Sequence, residues 1–292
     1  MTQSNARRKF IRNFSVALSA IPLAACGGDD DASYESITYA HGVASGDPLA
    51  DRVILWTRVS GPTSGRVAVN YAVYADPQLT QAVTDGATET DETRDYTVKI
   101  DAAGLQPGTT YYYQFESGGV KSPVGRTRTL PAGGVERVRI GVVSCASYAH
   151  GLFNAYARVA ARQDLDLVLH LGDYIYEYSS GTGTDAYGDF RQYEPAKEII
   201  DLTDYRQRYA QYRLDADLQA LHRQHPMINI WDDHETADNS WRDGAVNHTP
   251  DSEGDVRLGR NRAGHEMPLL DVARSAAAAR IYRHLPTPLA RS

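Results

Sequence analysis

Cysteine is almost absent from this chain: Cys26 and Cys145 are the two in 292 residues. No disulfide framework can therefore hold the fold. Net positive charge is missing as well. The formal charge is -7, and Arg7, Arg8, Lys9 and Arg12 sit in an N-terminal stretch without an acid, so the body is more acidic than the total. An acidic body argues against a nucleic-acid partner, and no nucleic-acid-binding patch is expected. The apolar N-terminal run, Phe14 to Ala25, is too short to span a bilayer. What is present is ordinary for a globular chain: 42% hydrophobic and 23% charged residues, enough for a sizeable core. The length allows about two domains.

Residues 1–26 read as an address rather than a fold. Arg7-Arg8-Lys9-Phe10-Ile11-Arg12 resembles a twin-arginine export signal, and Leu23-Ala24-Ala25-Cys26 resembles a bacterial lipobox. These resemblances imply the twin-arginine export machinery as a partner and lipidation at Cys26. They also imply a periplasmic or cell-surface location with membrane attachment through the N-terminal lipid. The alternative is a plain export signal with a chance cysteine. With Cys26 lipidated, Cys145 has no partner. It is then a buried small hydrophobe or a reactive or metal-binding thiol.

Residues 27–38 read as a polar tether, and residues 39–130 as an all-β domain, a fibronectin-like sandwich. Arg52 to Arg58, Arg66 to Tyr74, Tyr96 to Ile100 and Thr110 to Phe115 are its predicted strands. Leu105-Gln-Pro-Gly-Thr-Thr-Tyr111 looks like the entry to a tyrosine corner, which makes Tyr111 or Tyr113 structural. Alternation between core and surface is the favoured reading of Tyr111-Tyr112-Tyr113 over a sugar-stacking face. Pro131-Ala-Gly-Gly134 reads as a linker. In residues 135–292 the period changes to α/β: a strand from Arg137 to Ser144, a helix from Leu152 to Gln163 and a strand from Leu165 to Leu171. A surface loop from Ser179 to Tyr187 follows. Asp201 caps a long helix to about His222, with Tyr205, Tyr209, Tyr212 and Leu218 on its apolar face. A third buried strand runs from Met227 to Trp231, and a last helix begins near Asn261 and includes Ala276 to Ala279.

Three strands end in ligand-type residues: Ser144-Cys145, Asp173 with Tyr176, and Asp233-His234. Parallel strands bring their carboxyl ends to one edge of a sheet, where ligands bind. Cys145, Asp173, Tyr176, Asp233 and His234 are therefore expected to converge. Thiolate and phenolate beside carboxylates suit iron, and oxygen ligands alone suit calcium, magnesium or manganese. Two metals bridged by one carboxylate form a recurring phosphoryl-transfer site, in which a metal-activated hydroxide attacks phosphorus in line.

His41-Gly-Val-Ala-Ser-Gly-Asp-Pro48, Ile54-Leu-Trp-Thr-Arg58, Ser144-Cys145, Leu171-Gly-Asp-Tyr-Ile-Tyr-Glu177 and Trp231-Asp-Asp-His-Glu235 together resemble the alkaline phosphatase D (PhoD-like) family. The resemblance implies a β N-terminal domain followed by a calcineurin-like α/β/β/α metallophosphatase domain. It implies hydrolysis of phosphate monoesters and diesters with Fe3+ and Ca2+, other divalent metals being alternatives. By position, Cys145 and Tyr176 would ligate iron, Asp173 would bridge, Asp233 would ligate the second metal and His234 would steady the transition state or leaving oxygen. The family's remaining ligands come from a further stretch. His248, His265 and His284 do not stand in its motif context and read as surface or packing residues. The chain is therefore expected to be a fragment, the alternative being a truncated and inactive gene, with the strand faces at Ile140, Val142, Val168, Leu169, Ile228 and Ile230 incompletely covered. A purple-acid-phosphatase-like enzyme is the nearest rival; Cys145, and Asp233 before His234, argue against it. The rival of another class is a non-catalytic surface lipoprotein that binds glycan or a partner through the β-domain.

Overall fold

The structure is a computed structural model that describes residues 34–62, 64–181, 190–240 and 245–247. The export and lipobox residues with Cys26, most of the loop from Ser179 to Tyr187, the last helix, and His248, His265 and His284 lie outside the described residues.

A β-rich N-terminal region precedes a region that contains the helices. The first ten strands are β1 (Tyr34–Thr38), β2 (Val43–Gly46), β3 (Arg52–Arg58), β4 (Ser60–Pro62), β5 (Val67–Tyr74), β6 (Ala82–Thr90), β7 (Thr97–Ala103), β8 (Thr110–Ser117), β9 (Val120–Lys121) and β10 (Gly125–Arg128). Then come β11 (Ile140–Val143), α1 (Asn154–Ala160), β12 (Leu167–His170), α2 (Leu202–Arg213), α3 (Ala216–Gln224) and β13 (Pro226–Asn229). One antiparallel sheet has the order β10-β8-β5-β6, with β9 added to β8. A second, six-stranded sheet has the order β11-β12-β13-β2-β3-β7. A small pair, β1-β4, stands apart from both.

The six-stranded sheet crosses the linker at 131–134. Its strands β11, β12 and β13 are parallel, β2 pairs parallel with β13, and β3 and β7 continue antiparallel. The join is Val-Ala-Ser-Gly, buried at all four positions. Its small side chains let β13 approach, and Asp47 N–H adds a hydrogen bond to the Met227 carbonyl at 3.3 Å. Strand β3 shows why this sheet is a middle layer. Val53 and Leu55 face one core, shared with Val69, Val73, Tyr113 and Phe115 of the other sheet. Ile54 and Trp56 face a second core, shared with Val168, Met227 and the tyrosines of α2. A strand buried on both faces reads as a near-continuous apolar run, and R-V-I-L-W-T-R is one.

Strand β8 alternates as expected, with Tyr111, Tyr113 and Phe115 inward. Gln106 N–H donates to the Tyr111 hydroxyl at 2.8 Å, so Tyr111 closes the corner. The expected long helix is two helices. Asp215 accepts from the N–H groups of Asp217 and Leu218, capping a new start. The expected cap at Asp201 is a reciprocal capping box with Asp204, and Tyr205, Tyr209, Tyr212 and Leu218 are buried. The expected strand from Arg137 shortens to begin at Ile140. Val168 needs correction: it is fully buried on the helix-covered face, because its neighbours in register are Gly141 and Met227. The opposite face carries Ile140, Val142, Leu171 and Ile230, exposed at 48%, 58%, 40% and 48%. Leu169 and Ile228 there are half-buried.

Candidate metal centre

Strand β12 leads into Leu171-Gly172-Asp173. Gly172 has φ +96, and a Cβ there would lie 2.5 Å from the Asp232 backbone nitrogen and Cβ. Only glycine lets the ends of β12 and β13 approach this closely. Cys145 and Asp173 both adopt left-handed backbone, φ 58 and 53, a conformation that non-glycine residues rarely hold without support. The support is local. Cys145 N–H donates to the Gly172 carbonyl at 3.2 Å, and Ala146 N–H to the Asp173 carbonyl at 2.8 Å.

The side chains of the expected residues meet. Cys145 Sγ lies 3.5 Å from Asp173 Oδ2, and the Tyr176 hydroxyl donates to the same oxygen at 3.3 Å. One ligand atom each from Asp173, Asp233 and His234 lies within 4.8 Å of the others. Cys145 is exposed, which overturns its reading as a buried small hydrophobe. Asp173 Oδ1 is buried without a hydrogen-bond partner. A buried acceptor lacking a donor, amid carboxylate, imidazole, phenol and thiol, fits a cation. Burial raises the Asp173 pKa, and Asp233 and Asp232 add to the rise, while His234 and Cys145 oppose it. Burial, Asp173 and Cys145 hold the Tyr176 phenol well above its ordinary range.

Three further residues hold these groups in place. Glu177 is fully buried and accepts from His234 Nδ1 at 2.9 Å, Asp238 N–H at 2.6 Å and Asn247 Nδ2 at 2.8 Å. The Tyr176 ring lies against the His234 ring at 4.2 Å. Burial lowers the His234 pKa, but Glu177, Asp173 and Asp233 outweigh it and push the value up to about 9. Glu235, also fully buried, accepts from the N–H groups of Asp173 at 3.1 Å, Tyr174 at 2.5 Å and Asp232 at 2.8 Å. It ties the β12 and β13 ends together. Burial raises its pKa to about 7 despite those donors. Arg208 of α2, buried, donates to the carbonyls of Tyr176, Tyr178, Glu194 and Pro195 and so fixes the loop after Asp173. Sequence reasoning missed all three. The two glutamates stood inside the motifs, a few residues beyond the ends of β12 and β13.

A family model described as PhoD-like phosphatase matches residues 140–287, and a model of the PhoD-like phosphatase N-terminal domain matches residues 25–131. The chain belongs to the PhoD-like phosphatase family. Alkaline phosphatase D of Bacillus subtilis (strain 168) is 38% identical over 263 residues, 87% of this chain and 42% of that protein. A solved structure of PhoD superposes with a TM-score of 0.67 at 35% identity, covering 91% of this chain and 48% of the other. The chain thus spans less than half the length of these PhoD-family relatives.

Proposed function

We propose that this chain carries one side of the centre of a metal-dependent phosphatase and phosphodiesterase acting on phosphate monoesters and diesters. The observation that carries the reading is the cluster of Asp173, Asp233 and His234 around a buried, unpartnered Asp173 Oδ1. Cys145, Tyr176 and Asp173 would hold ferric iron, and Asp173 and Asp233 a second metal such as calcium. A thiolate and a phenolate suit the more highly charged ion and carboxylates the harder divalent one. When bound, the pair would supply Lewis acidity at phosphoryl oxygens and a lowered pKa for water. The chain's own residues do the rest. Glu177 accepts the hydrogen bond of His234 Nδ1–H and fixes the ring, leaving Nε2 to the ester. His234, oriented by Glu177, would donate to the leaving oxygen or a phosphoryl oxygen. Glu235 keeps the Asp173 and Asp233 loops at their spacing.

The same reading takes the two architectures as a fibronectin-like β-domain, supported by the tyrosine corner at Tyr111, and part of a calcineurin-like α/β domain, supported by the parallel β11-β12-β13 order. Export by the twin-arginine route and lipidation at Cys26 belong to it on the strength of the N-terminal motifs. Among the described residues no helix is long and apolar enough to cross a membrane. The test is metal analysis with a phosphodiester assay on a protein that carries the complete metal centre, as wild type, Asp173→Asn and His234→Ala. Asp173→Asn should lose both metals. His234→Ala should keep them and lose about two to three powers of ten in rate. Full metal stoichiometry in Asp173→Asn would refute the bridging role.

A further inference from the structure

Beside the metal cluster lies a cavity of about 410 Å3 between the end of β11 and the start of α1. Cys145 belongs to both: it lines the cavity and stands 3.5 Å from Asp173 Oδ2. Leu152, Phe153 and Tyr156 give the lining its large apolar side chains. Its polar groups include Ser147 Oγ and His150 Nδ1, hydrogen-bonded to each other at 2.7 Å. Among the described residues that line it, none is Lys, Arg, Asp or Glu. The wall is built in advance. Arg191 stacks on the Tyr148 and Phe153 rings at 3.6 and 4.7 Å, donates to the Tyr148 carbonyl at 2.9 Å and pairs with Asp215 at 2.7 Å. Leu152 nevertheless leaves 58% of its surface exposed.

We propose that this cavity, from Cys145 to Leu152, Phe153 and Tyr156, receives the organic group of the phosphate ester. The proposal rests on the phosphoesterase reading and names its substrate class. The occupant is an uncharged, aryl-sized alcohol with a polar substituent directed to Ser147 and His150. Pockets of this volume take drug-sized groups, with apolar walls for affinity and a few polar groups for orientation. The described lining offers no Arg or Lys of the kind a second phosphate recruits. The surface that Leu152 leaves open is then covered by the bound ester.

The test is calorimetric binding of two non-hydrolysable probes, phenylphosphonate and methylphosphonate, to a protein that carries the complete metal centre, loaded with ferric and calcium ions. Phenylphosphonate should bind at least about tenfold more tightly, the scale of discrimination an apolar pocket gives for small added groups. In Leu152→Asp that preference should collapse towards unity; the exposed side chain makes loss of folding an inadequate explanation. Val83→Asp, on the five-stranded sheet and 42% exposed, should keep the preference. Equal binding of the two probes by wild type, or an undiminished preference in Leu152→Asp, would overturn the pocket and leave the phosphoesterase reading standing. Binding of neither probe would overturn both.

Discussion

The two halves of the six-stranded sheet have similar aliphatic content and opposite fates. In the antiparallel half, Val53, Ile54, Leu55 and Trp56 alternate into two cores, and none is more than 6% exposed. In the parallel half the helices cover one face only, and Val142 on the other is 58% exposed. The candidate metal centre stands at the carboxyl edge of this half-covered part. There the left-handed backbones of Cys145 and Asp173 are held by hydrogen bonds instead of by packing on both sides. One half is a scaffold made by burial, and the other positions chemistry by a polar frame. Elements with fewer buried apolar contacts open more readily, so the halves should respond differently to substitution.

The largest expected effect lies in the scaffold. Leu55→Ala removes a fully buried side chain between two packed layers and should cost about 2–5 kcal/mol. Chemical denaturation followed by tyrosine fluorescence measures it. A cost no greater than that of an exposed-site change would mean the middle layer is not load-sharing, and the contrast would fail. In the polar frame, Glu235→Gln exchanges one accepting oxygen for an amide donor facing backbone N–H groups. A lost hydrogen bond to a charged group costs about 1.5–3 kcal/mol. Metal affinity should fall with it, since Asp173 and Asp232 share that carboxylate. Unchanged affinity alongside reduced stability would make Glu235 structural only.

A third test uses the covered face of the parallel half. His170 is buried there against Tyr156, with the hydroxyl 2.9 Å from Nε2, and burial lowers its pKa to about 4. The folded value lies below the unfolded one of about 6.5. Its contribution to stability is therefore complete above about pH 6.5 and is lost as pH falls towards 4. The loss reaches about 3 kcal/mol by pH 4. His170→Asn should reduce the slope of unfolding free energy with pH by up to one proton over that window. An unchanged slope would show that His170 is not held neutral by its burial.

The contrast also separates what could be read in the sequence from what could not. Strands β3, β5 and β8, the corner at Tyr111 and the Asp201 cap follow local patterns that reside in consecutive residues. The convergence of Cys145, Asp173 and His234 followed from strand polarity alone. The joining role of β2 did not, because Val-Ala-Ser-Gly is too short to have a period. Val168 was assigned to the wrong face for a related reason: a run buried on one side and half-buried on the other shows no alternation to set its parity. Asp215 was hidden inside a helical pattern, where only a local cap reveals the restart. Glu177, Glu235 and Arg208 are buried polar groups with most of their partners far off in sequence, and composition is blind to such partners.

The smallest expected change in stability lies on the bare face of the parallel half. Val142→Lys adds a charge where more than half of the side chain already meets water. Surface changes away from special features stay within about 0.5 kcal/mol, so unfolding should be nearly unmoved, in contrast to Leu55→Ala. Association should change more. Ile140, Val142, Leu171 and Ile230 present aliphatic surface on neighbouring strands β11, β12 and β13 and their ends, and a contiguous apolar patch drives self-association. Light scattering across a concentration series should show the wild-type chain associating and Val142→Lys shifting the onset to higher concentration. A wild-type chain that stays monomeric throughout, or a variant that associates identically, would mean the face is not sticky. The parallel half would then differ from the antiparallel half in exposure but not in its behaviour in solution.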